Sequence, residues 1–162
     1  MNPEPSRRRV LLAATAALAG SALATGCATT EPASVALMTA GEGSAFLPYG
    51  RGIAKVVTAR SGIAVEVRTS GGSNENLGVV EREPMILGTA FLGSAFEAVN
   101  GIAFAAGRRH ENVRALFPMY ETSFQTATLR SRKLTRTADL DGRRVGVGPT
   151  NGPAEGYFRG LA

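Results

Sequence analysis

An α/β fold built on a parallel sheet is what this sequence predicts, and three observations predict it. Short β-like runs alternate with helix-period runs over residues 34–100. The first two β-like runs end in Gly/Ser turns, Gly41-Glu42-Gly43-Ser44 and Ser70-Gly71-Gly72-Ser73-Asn74. A helix start follows each turn at once, which is the grammar of successive βα units. Two such units place two helix N-termini at one end of the sheet. Their unpaired N–H groups and positive dipole ends then face a common edge, the usual ligand edge of an open α/β sheet, and suit a small anion.

Strand one is expected over Ser34–Thr39. Helix one follows over Ala45–Arg60, with Ser44 as its cap, Pro48 in its first turn and apolar residues at helical spacing (Leu47, Ala54 and Val57; Phe46, Ile53 and Val56). Ser61-Gly62 stops it. Strand two is Ala64–Thr69. Helix two begins after a capping Ser73, carries Glu75 in its first turn and buries Leu77 and Val80. Pro84 separates it from strand three, Met85–Thr89. Helix three, Leu92–Asn100, has Leu92, Ala95, Phe96 and Val99 in one apolar stripe and stops at Gly101. Residues 101–112 read as a loop. Val113–Met119 and Phe124–Arg130 read as strands, Thr137–Leu140 as a capped helical turn, and Arg144–Gly148 as another strand. Pro149-Thr150-Asn151-Gly152 then leads into a helix over Pro153–Phe158.

The chain has 162 residues, the length of one domain. Its formal net charge is +5; residues 27–162 hold 15 basic and 12 acidic side chains, a net of +3. Arg130, Arg132, Lys133 and Arg136 form the densest basic run. Without interleaved aromatics it reads as a solvated loop rather than a nucleic-acid footprint. Residues 1–26 read as an export signal. A basic start with Arg7, Arg8 and Arg9 precedes an apolar run over Val10–Ala24 that is too short to span a bilayer. Ser6-Arg7-Arg8-Arg9-Val10-Leu11 fits a twin-arginine signal, and the same region fits a general-secretion signal. Ala24-Thr25-Gly26-Cys27 is similar to a lipobox, which makes Cys27 a candidate for acylation. Cleavage after Ala22-Leu23-Ala24 is the other reading. Residues 27–33 are the tether, and the family resemblance of the segments that follow implies a first α/β lobe over 34–120 and a hinge with the opening of a second lobe over 121–162. The expected localisation is periplasmic and membrane-anchored through a lipid.

One Cys and one His, His110, give no multi-cysteine metal site and no Cys/His nucleophile pair. Gly146-Val147-Gly148-Pro149-Thr150-Asn151-Gly152 is one residue too long for the dinucleotide fingerprint, and the position of an acidic ribose partner would lie beyond residue 162. No cofactor and no catalytic constellation are expected.

Four segments in order carry a resemblance. They are Thr39–Ser44 with Phe46–Gly50; Thr69–Leu77; Ala115–Thr122; and Asp139–Gly148. Together they resemble the TAXI-type solute-binding subunits of tripartite ATP-independent periplasmic (TRAP) transporters, across nearly all of the chain after the signal. The resemblance implies a periplasmic-binding-protein type II-like fold, of which this chain carries the first lobe and only the opening of the second. It also implies a small organic-anion ligand, such as a carboxylate or amino acid, and a membrane permease partner. Carried onto this chain, Gly41, Gly43 and Ser44 line the cleft from the first turn. Ser70, Gly71, Gly72 and Ser73 line it from the second, and Thr89 from the end of strand three. Tyr120 and Thr122 lie at the hinge, and Thr150, Asn151 and Gly152 in the second lobe. Family members are about twice as long, so the chain is expected to be a truncated member or N-terminal fragment. A degenerate surface lipoprotein without ligand is the alternative, and a nucleotide-cofactor enzyme a more distant one.

Overall fold

The structure, a computed structural model, describes residues 34–161. The export signal, Cys27 and the tether lie outside the described residues. Three parallel strands, β1 (Ser34–Met38), β2 (Ala64–Arg68) and β3 (Ile86–Gly88), form a sheet in the order β2-β1-β3. Helices α1 (Phe46–Ser61), α2 (Ser73–Arg82) and α3 (Leu92–Asn100) alternate with them. The α/β fold expected from the βα alternation is therefore present. Ser34 pairs with Ala64 and Met38 with Arg68 on one side of β1; Ala36 pairs with Ile86 and Met38 with Gly88 on the other.

Burial explains the strand order. Ala36, Leu37 and Met38 are consecutively buried, as a central parallel strand covered on both faces must be. In β2, half-buried Val65 and Val67 alternate with exposed Ala64, Glu66 and Arg68. That is an edge strand with one wet face, where Arg68 and Glu66 pair at 2.7 Å. Helix α1 packs against β2 and buries Phe46, Leu47 and Gly50. A Cβ on Gly50 would lie 2.5 Å from the Thr39 Cγ2, so only glycine allows the helix this close to the end of β1. Gly62 and Gly101, both left-handed, terminate α1 and α3 as the sequence indicates.

Beyond Asn100 the expectations diverge. A 3₁₀ turn, Ala103–Ala105, falls in the segment read as loop. Val113–Met119, Phe124–Arg130 and Arg144–Gly148 are not strands. Their backbone has no ladder partner among the described residues, and β-prone residues alone do not make a strand. Thr137–Leu140 is a short 3₁₀ turn, and helix α4 spans Ala154–Leu161. The apolar stripe of α3 is also not where periodicity places it. Ser94 and Ala98 are buried, whereas Leu92, Phe96 and Val99 are exposed. Gly93 and Ser94 instead face Tyr157 of α4.

Candidate functional site

The parallel register brings the C-terminal ends of all three strands to one edge. Thr39 continues the ladder past β1, its N–H and its hydroxyl both donating to the Arg68 carbonyl, at 2.9 and 2.8 Å. On the other flank the Thr89 N–H donates to the Met38 carbonyl at 3.0 Å. Asn76, fully buried in the second turn of α2, locks this edge. Its amide donates to the Thr39 carbonyl at 2.6 Å and the Thr89 carbonyl at 2.8 Å. Its Oδ1 receives the Ser70 hydroxyl at 2.6 Å. One side chain thereby fixes the exits of β1, β2 and β3. Sequence reasoning missed Asn76, because a polar residue in a helix interior carries no local sign of distant backbone partners. Its three-residue offset from Ser73, on the inner face of α2, is the only hint.

The two glycine turns lie side by side on this edge. A Cβ added to Gly41 would sit 3.9 Å from the Ser70 carbonyl oxygen. In the first turn, Gly43 adopts φ 84° and the Ser44 hydroxyl accepts the Phe46 N–H at 3.2 Å, although Ala45 and not Ser44 is the N-cap of α1. Glu42 and Gly43 are exposed, so this turn is open to solvent. In the second turn, Gly72 adopts φ 114° and is buried, and its N–H donates to the Ser70 hydroxyl at 3.0 Å. The Gly71 N–H donates to the Glu75 carboxylate at 2.8 Å. An internal anion therefore occupies one of the donors that a helix N-terminus would offer to a ligand. Ser73 corrects the sequence expectation. It is not the cap of α2 but its first residue, fully buried, and its hydroxyl accepts the Phe91 N–H at the start of α3, 3.0 Å away.

The remaining predicted residues divide between two flanks. Tyr120 packs edge-on against Tyr49 (ring centroids 5.2 Å) and lies 6.4 Å from Phe46, which in turn packs against Phe91 in a tilted arrangement at 5.0 Å. This aromatic group covers the first turn of α1. Burial, with a smaller contribution from Tyr49, raises the Tyr120 phenol above its ordinary pKa. Thr122 is exposed on the following extended segment. On the second flank, Thr150, Asn151 and Gly152 seat directly on the second turn. A Cβ on Gly71 would meet the Thr150 carbonyl at 2.6 Å, and one on Gly152 the Gly71 carbonyl at 3.0 Å. Asn74 Nδ2 reaches the Gly152 carbonyl at 3.4 Å, and the Tyr157 hydroxyl meets Ser94 Oγ at 3.1 Å. Glycine at 71 and 152 is thus required by contact between the two segments.

The arrangement offers backbone amides and hydroxyls at a polar edge, capable of hydrogen bonding a small solute. Among the described residues no group of three or more His, Cys, Asp or Glu side chains could hold a metal ion, and no helix is long and apolar enough to cross a membrane. An open groove of about 910 Å³ is lined by residues within 124–128 and 132–148 and by Ala154 and Phe158, with no glycine-turn residue in its lining.

No curated protein matches the chain. Residues 37–162 match the NMT1-like family, a range that contains both glycine turns, Asn76 and the 149–153 loop. With three-quarters of its length inside that match, the chain belongs to the NMT1-like family, a binding-protein family related to periplasmic solute-binding proteins.

Proposed function

We propose that this protein is an extracytoplasmic solute-binding subunit, or the N-terminal piece of one, that captures a small organic anion for a TRAP-type permease and performs no covalent chemistry. The observation that carries the reading is the convergence of the two glycine turns on adjacent parallel strands, with Gly41 against Ser70. The turns are not equivalent. Because Glu75 already occupies the Gly71 amide, the ligand's carboxylate belongs at the open first turn, beside Gly41, Gly43 and Ser44. The second turn and Thr89 shape the wall through Ser70, Gly72 and Ser73, while Tyr120 and Thr122 border the hinge side. Thr150, Asn151 and Gly152 close over the second turn. Acylated Cys27 holds the chain at the periplasmic face of a membrane after export.

A thermal-shift panel of acetate, succinate, 2-oxoglutarate and amino acids tests the reading. A ligand at a hundred times its Kd stabilises by about 2.7 kcal/mol, a shift on the order of 10 °C for a domain of this size. The absence of a shift with every anion contradicts the proposal. A second reading, a surface lipoprotein without ligand, draws on the exposed Leu116, Phe117, Phe124 and Leu129. It predicts a broad, weakly cooperative melt.

A further inference from the structure

The positive charge of the described chain is not spread over it. Residues 129–146 hold six basic side chains, Arg130, Arg132, Lys133, Arg136, Arg143 and Arg144, against Asp139 and Asp141. The other described residues hold nine basic and nine acidic side chains, so their net charge is zero. The whole excess therefore resides in 18 consecutive residues. All six cations are exposed. Only Arg136 has a carboxylate partner, Asp139 at 3.5 Å, and Arg143 donates to the Asp139 carbonyl at 2.9 Å. The Asp139 carboxylate is itself engaged by the Thr135 and Arg136 N–H groups, at 2.8 and 3.0 Å. Among the described residues Arg130, Arg132, Lys133 and Arg144 have no carboxylate within salt-bridge distance. Arg132, Arg136, Arg143 and Arg144 border the open groove of about 910 Å³.

We infer that this segment is a docking face for an anionic phospholipid surface. Three features select lipid headgroups over other polyanions. No aromatic residue lies between Phe124 and Tyr157 in the sequence, so none interleaves with the six cations, and only Phe124 and Phe158 reach the groove they border. Leu129, 69 % exposed, directly precedes the first arginine, and half-buried Leu134, Leu140 and Val145 interleave with the rest. Apolar side chains among snorkelling cations suit a bilayer interface rather than a nucleic-acid groove. The reach is also short: the seven residues from an acylated Cys27 to Ser34 span at most about 25 Å, which would hold the domain at headgroup level. The face works independently of the solute site, and its test does not require acylation.

The test uses the full chain carrying Cys27→Ser, co-sedimented with vesicles of phosphatidylcholine alone or mixed with phosphatidylglycerol. Residues 1–26 are common to every protein compared, so the differences read the face. The triple variant R130Q/R132Q/R144Q is compared with K55Q/R60Q/R82Q, which removes the same charge from exposed positions elsewhere, after both are shown to melt like the parent. The expected result is binding to the phosphatidylglycerol vesicles that weakens about a hundredfold in the first triple variant. It should persist in the second and collapse near 1 M salt, where the Debye length is about 3 Å. Equal losses in the two triple variants, equal binding to both vesicle types, or tighter binding to a labelled RNA oligonucleotide than to the vesicles would each overturn the inference.

Discussion

At the residue scale, the account rests on Asn76 and Glu75. Asn76→Ala removes the side chain that joins the three strand exits, leaving the Thr89 carbonyl without its side-chain donor and the Thr39 carbonyl with the Ser70 hydroxyl alone, at 3.0 Å. It should destabilise the fold by about 2–4 kcal/mol in urea unfolding, combining lost buried hydrogen bonds with a small cavity. Asn76→Asp should cost more, because a carboxylate would face carbonyl oxygens that now accept from an amide. Glu75→Ala should act in two directions. Loss of an acidic side chain from the first turn of α2 lowers stability by about 0.3–1 kcal/mol. The released Gly71 amide and the removed repulsion should tighten organic-anion binding about fivefold, measured by titration calorimetry. Ser44, Ser70 and the glycines were legible in the sequence because their roles are written in turn chemistry within a few residues. The buried partners of Asn76 and Ser73 were not, since Met38, Thr39, Thr89 and Phe91 become neighbours only through strand pairing.

At the element scale, the βα alternation through α3 could be read because each strand and helix announces its own ends. Strand edges beyond residue 112 could not, because a strand exists only by pairing and those segments find no partner among the described residues. Helix α3 shows the same dependence: its periodicity identified a helix but not the face it buries, which is set by packing against α2 and the Ala103–Ala105 turn. Leu92→Gln should therefore change stability by no more than about 0.5 kcal/mol, where a core leucine would cost several times more. The 110–112 loop is held differently, by the Glu81 carboxylate accepting the Glu111 and Asn112 N–H groups at 3.1 and 2.9 Å. Partial desolvation pushes Glu81 upward, but the Asn112 and Glu111 N–H groups and His110 outweigh it, and the net pKa is below the ordinary 4.5. The unfolded chain then binds the proton more readily than the native one. The contribution of Glu81 is complete above pH 4.5 and disappears as pH falls through the lower native value. Urea midpoints of the parent and Glu81→Gln should differ above that range and converge below it.

At the scale of the whole molecule, the described residues combine a sheet with one polar edge that carries both glycine turns, an aromatic flank and a C-terminal segment seated on the second glycine turn. Gly152→Val should push that segment off the turn, because a side chain there meets the Gly71 and Pro149 carbonyls at 3.0 and 3.1 Å. The expected readout is faster amide exchange over 149–158 with the β1–β3 core still protected. The central claim, that two backbone turns on neighbouring strands receive one small anion, is tested most directly by hydrogen–deuterium exchange with the anion that gives the largest thermal shift. The account predicts joint protection of residues 39–46 and 69–76. Protection of one turn alone, or of the groove at 124–148 instead, would contradict it.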